Sequence, residues 1–244
     1  MKIKSFNEFI NEGEVNELNS LRTKIDRAKE HFLNGTIEPE DLWHVGGTQS
    51  NKLIIFDIDD TILTGEVYII IRDEKTGEYL RKVNSNEFNT YKLKPGEKFD
   101  FSEFADPEIF EKNKITKYFH TMVREYKKGT HICLLTARGG KDVGEMIRNF
   151  FLKRGIDIKE ELVICINSAD SPYTGTTAER KAQAIEDLVS VGYHTIAFFD
   201  DNKENLEEAK AVAERIGFNL IAIHADIHSP ENEKFITVYN ADEE

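Results

Sequence analysis

The sequence predicts an α/β protein built on a doubly wound parallel sheet. Five short, nearly unbroken apolar runs, NKLIIFD, HICLLT, ELVICIN, HTIAFFD and NLIAIHA, have the composition of strands covered on both faces. Helical patterns separate them, so strand and helix come in rotation, the order that makes a Rossmann-like sheet. Polar residues gather at the carboxyl ends of the runs, where open α/β sheets hold their ligands.

Taken in order, residues 15–33 come first, with Val15, Leu18, Leu21, Ile25, Phe32 and Leu33 at helical spacing. This amphipathic helix ends near Gly35, and GTIEPEDLWHVGGTQS then reads as a linker punctuated by Pro39, Gly46 and Gly47. Residues 1–50 are thus expected to be an N-terminal helical arm and linker, and 51–244 the α/β domain. After the first strand the rotation breaks once. EVYIIIRDEKTGEYLRKV reads as a β-hairpin turning around 75–77, and NSNEFNTYKLKPGEKFDFSEF follows with no clear period. This insertion, at about 65–105, leaves a strand end and is placed to cover a site there as a small cap. Helical patterns over 107–128, 141–153, 177–191 and 203–216 alternate with the remaining strands.

At 244 residues the chain can bury one substantial core, and 39% apolar residues argue for a globular fold. With 32 Lys and Arg against 45 Asp and Glu, a net charge of −13 repels a long polyanion, so no extended duplex binding is expected. A local basic pocket for one phosphate is still compatible with that charge. The two cysteines, Cys133 and Cys165, sit in apolar runs as small hydrophobes, in keeping with a reducing compartment. No stretch approaches the ~20 apolar residues of a membrane span, and Glu8 and Glu12 interrupt what would be a signal peptide's apolar centre. The expectation is a cytoplasmic protein with no membrane partner.

FDIDDTILTG, at 56–65, crowds Asp57, Asp59 and Asp60 behind the first strand. Two-residue spacing puts the Asp57 and Asp59 carboxylates on one face. The second strand of the set ends in LLTARGG, with Thr136 and Arg138 at its tip, and another ends in AFFDDNKEN, with Asp200 and Asp201. TTAERKAQAIEDL offers Lys181 near a helix start. Alone, each has an ordinary reading: turn chemistry, a helix cap, a solvated cation. All at one sheet edge, they build a pocket of carboxylates, one hydroxyl and one ammonium. Such crowded acids stay ionised together only beside a cation, and a hard divalent ion with oxygen ligands, most naturally Mg²⁺, answers that need.

This set, DIDDT, then Thr136, then Lys181, then the DD of Asp200 and Asp201, resembles the four motifs of the haloacid dehalogenase superfamily of phosphohydrolases. The resemblance covers residues 53 to about 225. It implies that Asp57 is a nucleophile forming an aspartyl phosphate, and that Asp59 is the acid that protonates the leaving oxygen and then activates water. Thr136 and Lys181 would hold the phosphoryl oxygens. Mg²⁺ would be bound by Asp57, the backbone carbonyl of Asp59, and Asp200 supported by Asp201. Within the superfamily the second aspartate, Asp59, marks the phosphatases and mutases. Thr61 resembles the motif threonine that ties the loop behind the nucleophile. Arg138 has two readings: a substrate phosphate contact, as in polynucleotide 3′-phosphatases with an arginine at the matching place, or a partner for a nearby carboxylate. Asn205 reads as a solvated helix position, with support of the Asp pair as the alternative.

The short interval between Asp57 and Thr136 leaves room only for a small lid. The resemblance therefore implies a Mg²⁺-dependent phosphomonoester hydrolase with an open site, acting on a nucleotide, a phosphorylated small molecule or a nucleic-acid end. Arg72, Arg81, Lys92 and Lys94 form a candidate basic rim in the insertion, their ordinary reading being solvation. MKIKSFNEFINEG resembles the capsid-targeting leader of internal head proteins of T-even-type tailed phages, with Ile10 to Glu12 at the cleavage position; an amphipathic helix is its ordinary reading. The insertion is similar to that of phage-encoded members of the superfamily. The alternative function is accordingly a phage virion passenger with incidental or no phosphatase activity, found in the infected host's cytoplasm or packaged in the virion.

Overall fold

The computed structural model describes residues 52–227 and 236–239. The arm, linker and leader expected over 1–50 lie outside the described residues. Five parallel strands form the main sheet: β1 (Lys52–Phe56), β7 (His131–Thr136), β8 (Val163–Cys165), β9 (Thr195–Asp200) and β10 (Asn219–His224). Each grew from one of the five apolar runs. A sixth strand, β11 (Ile236–Tyr239), pairs antiparallel with β10, and the spatial order is β11-β10-β9-β1-β7-β8.

The other elements, in chain order, are β2 (Leu63–Thr64), β3 (Ile69–Asp73), β4 (Tyr79–Val83), α1 (Ser85–Thr90), β5 (Glu97–Asp100), α2 (Pro107–Glu111), β6 (Lys114–Ile115), α3 (Lys117–Lys127), α4 (Val143–Leu152), α5 (Thr177–Ser190) and α6 (Lys203–Ile216). β1 lies at the centre because it is apolar on both faces, and every residue of its neighbour β7 is buried. Helices bury Phe119, Met122, Ile147, Phe151, Ile185, Leu188 and Ala209 in one continuous core with the strands. Each large side chain so buried contributes about 1.5–3 kcal/mol. Cys133 and Cys165 are free thiols there, and burial pushes both up, Cys165 to about 12.

Local chemistry sets the helix ends. Thr176 and Glu179 close a capping box on α5, Asn202 caps α6 through the Glu204 amide, and Gly217 ends α6 with φ of 73°.

The helical pattern over 107–128 is not one helix. It splits into α2 and α3 around β6, because Lys114–Ile115 pairs with β2 and Thr116 starts a new helix by accepting the Tyr118 amide. Thr116 also donates its hydroxyl to the Thr61 carbonyl at 2.6 Å. β2 and β6 thereby make a two-stranded stem through which the insertion leaves and rejoins the domain.

The hairpin expected around 75–77 is present as β3 and β4. The aperiodic stretch after it forms α1 and β5, giving a three-stranded antiparallel sheet in the order β4-β3-β5. Ile69, Ile71 and Val83 form its own small core with Phe88, Tyr91, Phe99 and Phe104.

Because the Thr116 hydroxyl both caps α3 and satisfies a buried carbonyl, Thr116→Ala is expected to cost about 2 kcal/mol of stability. Urea denaturation of the two proteins measures this directly. An unchanged midpoint would show that the stem carries no such constraint.

Candidate active site

The strand register assembles the site. Phe56 pairs with Phe199 on one side and Leu134 on the other, so the next residue, Asp57, lies beside Asp200 and near the tip of β7. The Asp57 amide donates to the Phe199 carbonyl at 2.9 Å, which holds the chain in line just beyond β1. β1 and β9 are also where the winding reverses: the chain proceeds from β1 to β7 and β8 on one side, and from β9 to β10 on the other. A crevice at such a reversal is the usual ligand position of an open α/β sheet.

Lys181 reaches this point from the second turn of α5. Its ammonium donates to Asp57 Oδ1 and Asp200 Oδ2, both at 2.7 Å, and all three side chains are buried. Burial alone would favour neutral lysine, but the charges of Asp200 and Asp57 outweigh it and hold the ammonium above its ordinary value. Burial raises Asp57 well above the usual carboxylate range; Lys181 opposes that, while Asp200, Asp201 and Asp59 add to it. Asp201 is exposed, yet its neighbourhood is crowded enough that desolvation first and the Asp200 charge second push it up to about 7.

Asp200 is anchored from the other side as well. Its Oδ1 accepts the Asn205 side-chain amide and the Asn202 backbone amide, each at 2.9 Å. Asn205 is buried, so the solvated helix position read from the sequence is corrected: the first turn of α6 turns it inward onto Asp200. Periodicity held the signal, since Asn205 precedes the buried Leu206 and lies four residues before the buried Ala209.

Asp59 takes a different partner from Asp57. The Arg138 guanidinium binds it with Nε at 2.8 Å and Nη2 at 2.6 Å, and donates Nη1 to the Phe104 carbonyl at 2.6 Å. Its side chain has no solvent exposure and packs beside the Phe104 and Phe110 rings. Arg138 thus pairs with a carboxylate, one of the two roles read for it from the sequence. Asp59 keeps 35% of its side chain exposed, so it meets both the arginine and solvent.

Thr136 is buried at the tip of β7, where its hydroxyl accepts the Arg138 amide at 3.1 Å. Gly139 follows so closely on Asn167 that a Cβ would collide with the Asn167 carbonyl. Thr61 is also buried, but its hydroxyl has no hydrogen-bond partner among the described residues; its carbonyl accepts the Thr116 hydroxyl. Asp60 adopts a left-handed φ of 54° and accepts the Thr64 hydroxyl, which turns the chain into the stem.

The structure thus brings Asp57, Lys181 and Asp200 into direct contact and sets Asp59, Thr136 and Arg138 alongside as a second linked group. Sequence reasoning missed the Phe104 carbonyl and the Thr116 hydroxyl, since backbone acceptors and stem contacts leave no residue-type signal. Among the described residues, no three His, Cys, Asp or Glu side chains already stand as a ligand set for a metal ion. The donor chemistry nevertheless suits a hard divalent cation: Asp59, Asp200 and Asp201 all bear electrostatically on Asp57, and their ligand atoms would be oxygens. Comparison of the chain with protein-family models, curated proteins and solved structures returned no match.

The raised Asp201 value fixes the sign of that group's pH dependence in chelator. The folded protein holds a proton on Asp201 that the unfolded chain releases, so this contribution to stability is greatest at low pH. It is lost as pH rises from the ordinary aspartate value of 3.8 through about 7. Relative to Asp201→Asn, the wild-type urea midpoint is expected to fall across that window; equal slopes in the two proteins would mean that Asp201 titrates as a solvated carboxylate.

Proposed function

We propose that the protein is a Mg²⁺-dependent phosphomonoester hydrolase of the haloacid dehalogenase type, acting on a nucleotide or nucleic-acid-end phosphate through an aspartyl-phosphate intermediate. The observation that carries this reading is the buried Lys181 ammonium shared between Asp57 and Asp200 at a reversal point of the sheet. A phosphate ester's anionic oxygens repel a carboxylate nucleophile, so attack requires cationic charge fixed beside that carboxylate.

In this reading Asp57 attacks phosphorus through a carboxylate oxygen as the bond to the leaving oxygen breaks. Asp57 Oδ2 accepts no hydrogen bond from the described residues, whereas Oδ1 is held by Lys181. The ammonium favours the ionised nucleophile against the effect of burial and lies where it can meet a phosphoryl oxygen. Asp59 supplies the proton to the departing oxygen. It then takes a proton from the water that cleaves the aspartyl phosphate, so its own protonation state is restored each cycle. The Thr136 hydroxyl donates to a phosphoryl oxygen while still accepting the Arg138 amide.

Asp57, the Asp59 backbone carbonyl, Asp200 and Asp201 would hold Mg²⁺, which would offset the phosphoryl group's negative charge when bound. Asn205 and the Asn202 amide keep Asp200 oriented for that role. Arg138 acts through Asp59: two hydrogen bonds to one carboxylate fix its plane, and the bond to Phe104 ties that plane to the insertion.

Phosphate release from a panel of nucleotides, sugar phosphates and 3′- or 5′-phosphorylated oligonucleotides tests the reading. Turnover is expected with Mg²⁺, to be lost in chelator and to fall by at least about 10³-fold in Asp57→Asn. Full Mg²⁺-dependent activity in that variant would remove Asp57 as nucleophile. Silence across the panel would count for the virion-passenger alternative.

Arg138→Lys separates positioning from substrate contact. Loss of the two-pronged hold on Asp59 is expected to lower kcat by about 10- to 100-fold with KM little changed. A rise in KM at unchanged kcat would instead place the guanidinium on the substrate.

A further inference from the structure

The insertion sheet has two unlike faces. Alternation along β3 sends Ile69 and Ile71 into the small core, where Phe88, Tyr91, Phe99 and Phe104 cover them. Ile70 and Arg72 point the other way. The register places Lys82 and Asp100 beside Ile70, and Tyr79 and Lys98 beside Arg72, on the same outer face.

This outer face is basic and aromatic in a chain of net charge −13. Lys82 and Lys98 are exposed, Tyr79 is 58% exposed, and Leu80 at the β4 irregularity is 47% exposed. Asp100 is the acid that the register places among them, and it is paired with Arg72 Nε at 2.5 Å. Arg72 also donates Nη1 to the Gly77 carbonyl at 3.2 Å, so the guanidinium is held in place beside Tyr79. Lys82 rests its ammonium 3.6 Å from the centre of the Tyr68 ring, an ordered cation–aromatic pair on this side.

Cations at intervals along a sheet, interleaved with flat side chains already in position, suit a flexible polyanion with flat bases. Its phosphates meet the lysines, and its bases stack on rings or guanidinium. A rigid duplex fits less well, because the acidic remainder of the chain would repel a long double-stranded polyanion.

We propose that the outer face of the β4-β3-β5 sheet, through Arg72, Tyr79, Lys82 and Lys98, binds single-stranded nucleic acid, holding the strand whose terminal phosphate the site removes. The inference rests on the nucleic-acid-end form of the function proposed above. It assigns the insertion a binding surface for the strand, apart from the crevice that takes the phosphate.

Fluorescence anisotropy with the full chain and a short labelled DNA single strand lacking terminal phosphates tests it, beside the same sequence as duplex. Single strand is expected to bind more tightly than duplex, with log K falling by about 0.7 per decade of salt for each phosphate neutralised. Lys82→Glu with Lys98→Glu is expected to weaken it by about tenfold or more, and Tyr79→Ala by about fivefold or more. Hydrolysis of p-nitrophenyl phosphate should be unchanged in these variants, since the substituted side chains are exposed and outside the crevice. No binding of the single strand, equal binding of duplex, or variants that bind like wild type would overturn the proposal. If wild type binds the strand but hydrolyses no p-nitrophenyl phosphate in Mg²⁺, the phosphatase reading fails, and with it the strand's role as substrate. If it hydrolyses the ester but ignores the strand, only the surface is refuted.

Discussion

One ammonium holds the site together. Asp57 and Asp200 end neighbouring strands of a parallel sheet, and register brings their buried carboxylates side by side. Desolvating an ion costs several kcal/mol, and two like charges together cost more, so the arrangement needs a cation of fixed position. Lys181 supplies it at 2.7 Å from both. The remainder of the site follows from this constraint: α5 must start where its second turn reaches the crevice, hence the capping box of Thr176 and Glu179. Asp200 must present its other oxygen to α6, hence the inward Asn205 and the Asn202 amide.

The second linked group has a different character. Arg138 is buried without being part of the apolar core, and its charge is balanced by Asp59 while aromatic rings occupy its faces. Its third contact, to the Phe104 carbonyl, comes from the insertion, so the placement of Asp59 depends on how the insertion is seated. The stem makes the same connection by another route. Thr116 holds the Thr61 carbonyl inside the loop that carries Asp59, and β2 and β6 pair just beyond it. A small insertion can thereby affect the chemistry of a residue in the main domain through two contacts.

Much of the fold was legible because its signals are local. Parallel strands buried on both faces must be continuously apolar, and each of the five runs became a strand of the main sheet. The 107–128 pattern misled because helical periodicity continues through Lys114 and Ile115, where pairing with β2 overrides it. The aperiodic stretch after the hairpin was opaque for a related reason: α1 and β5 are short elements stabilised by each other's aromatic side chains, with Phe88 and Phe99 4.9 Å apart between ring centres.

Which residues stand at the strand ends follows from local pattern alone, because strand length and apolar character are properties of adjacent residues. Asp57, Thr136 and Asp200 could be placed on one edge before any coordinate was known. The partnerships came from long-range packing: Lys181 with Asp57 across 124 residues, Arg138 with Asp59 across 79, and Asn205 turned inward onto Asp200. Each depends on strand order and register. Those are settled by packing between distant segments, which residue spacing does not record.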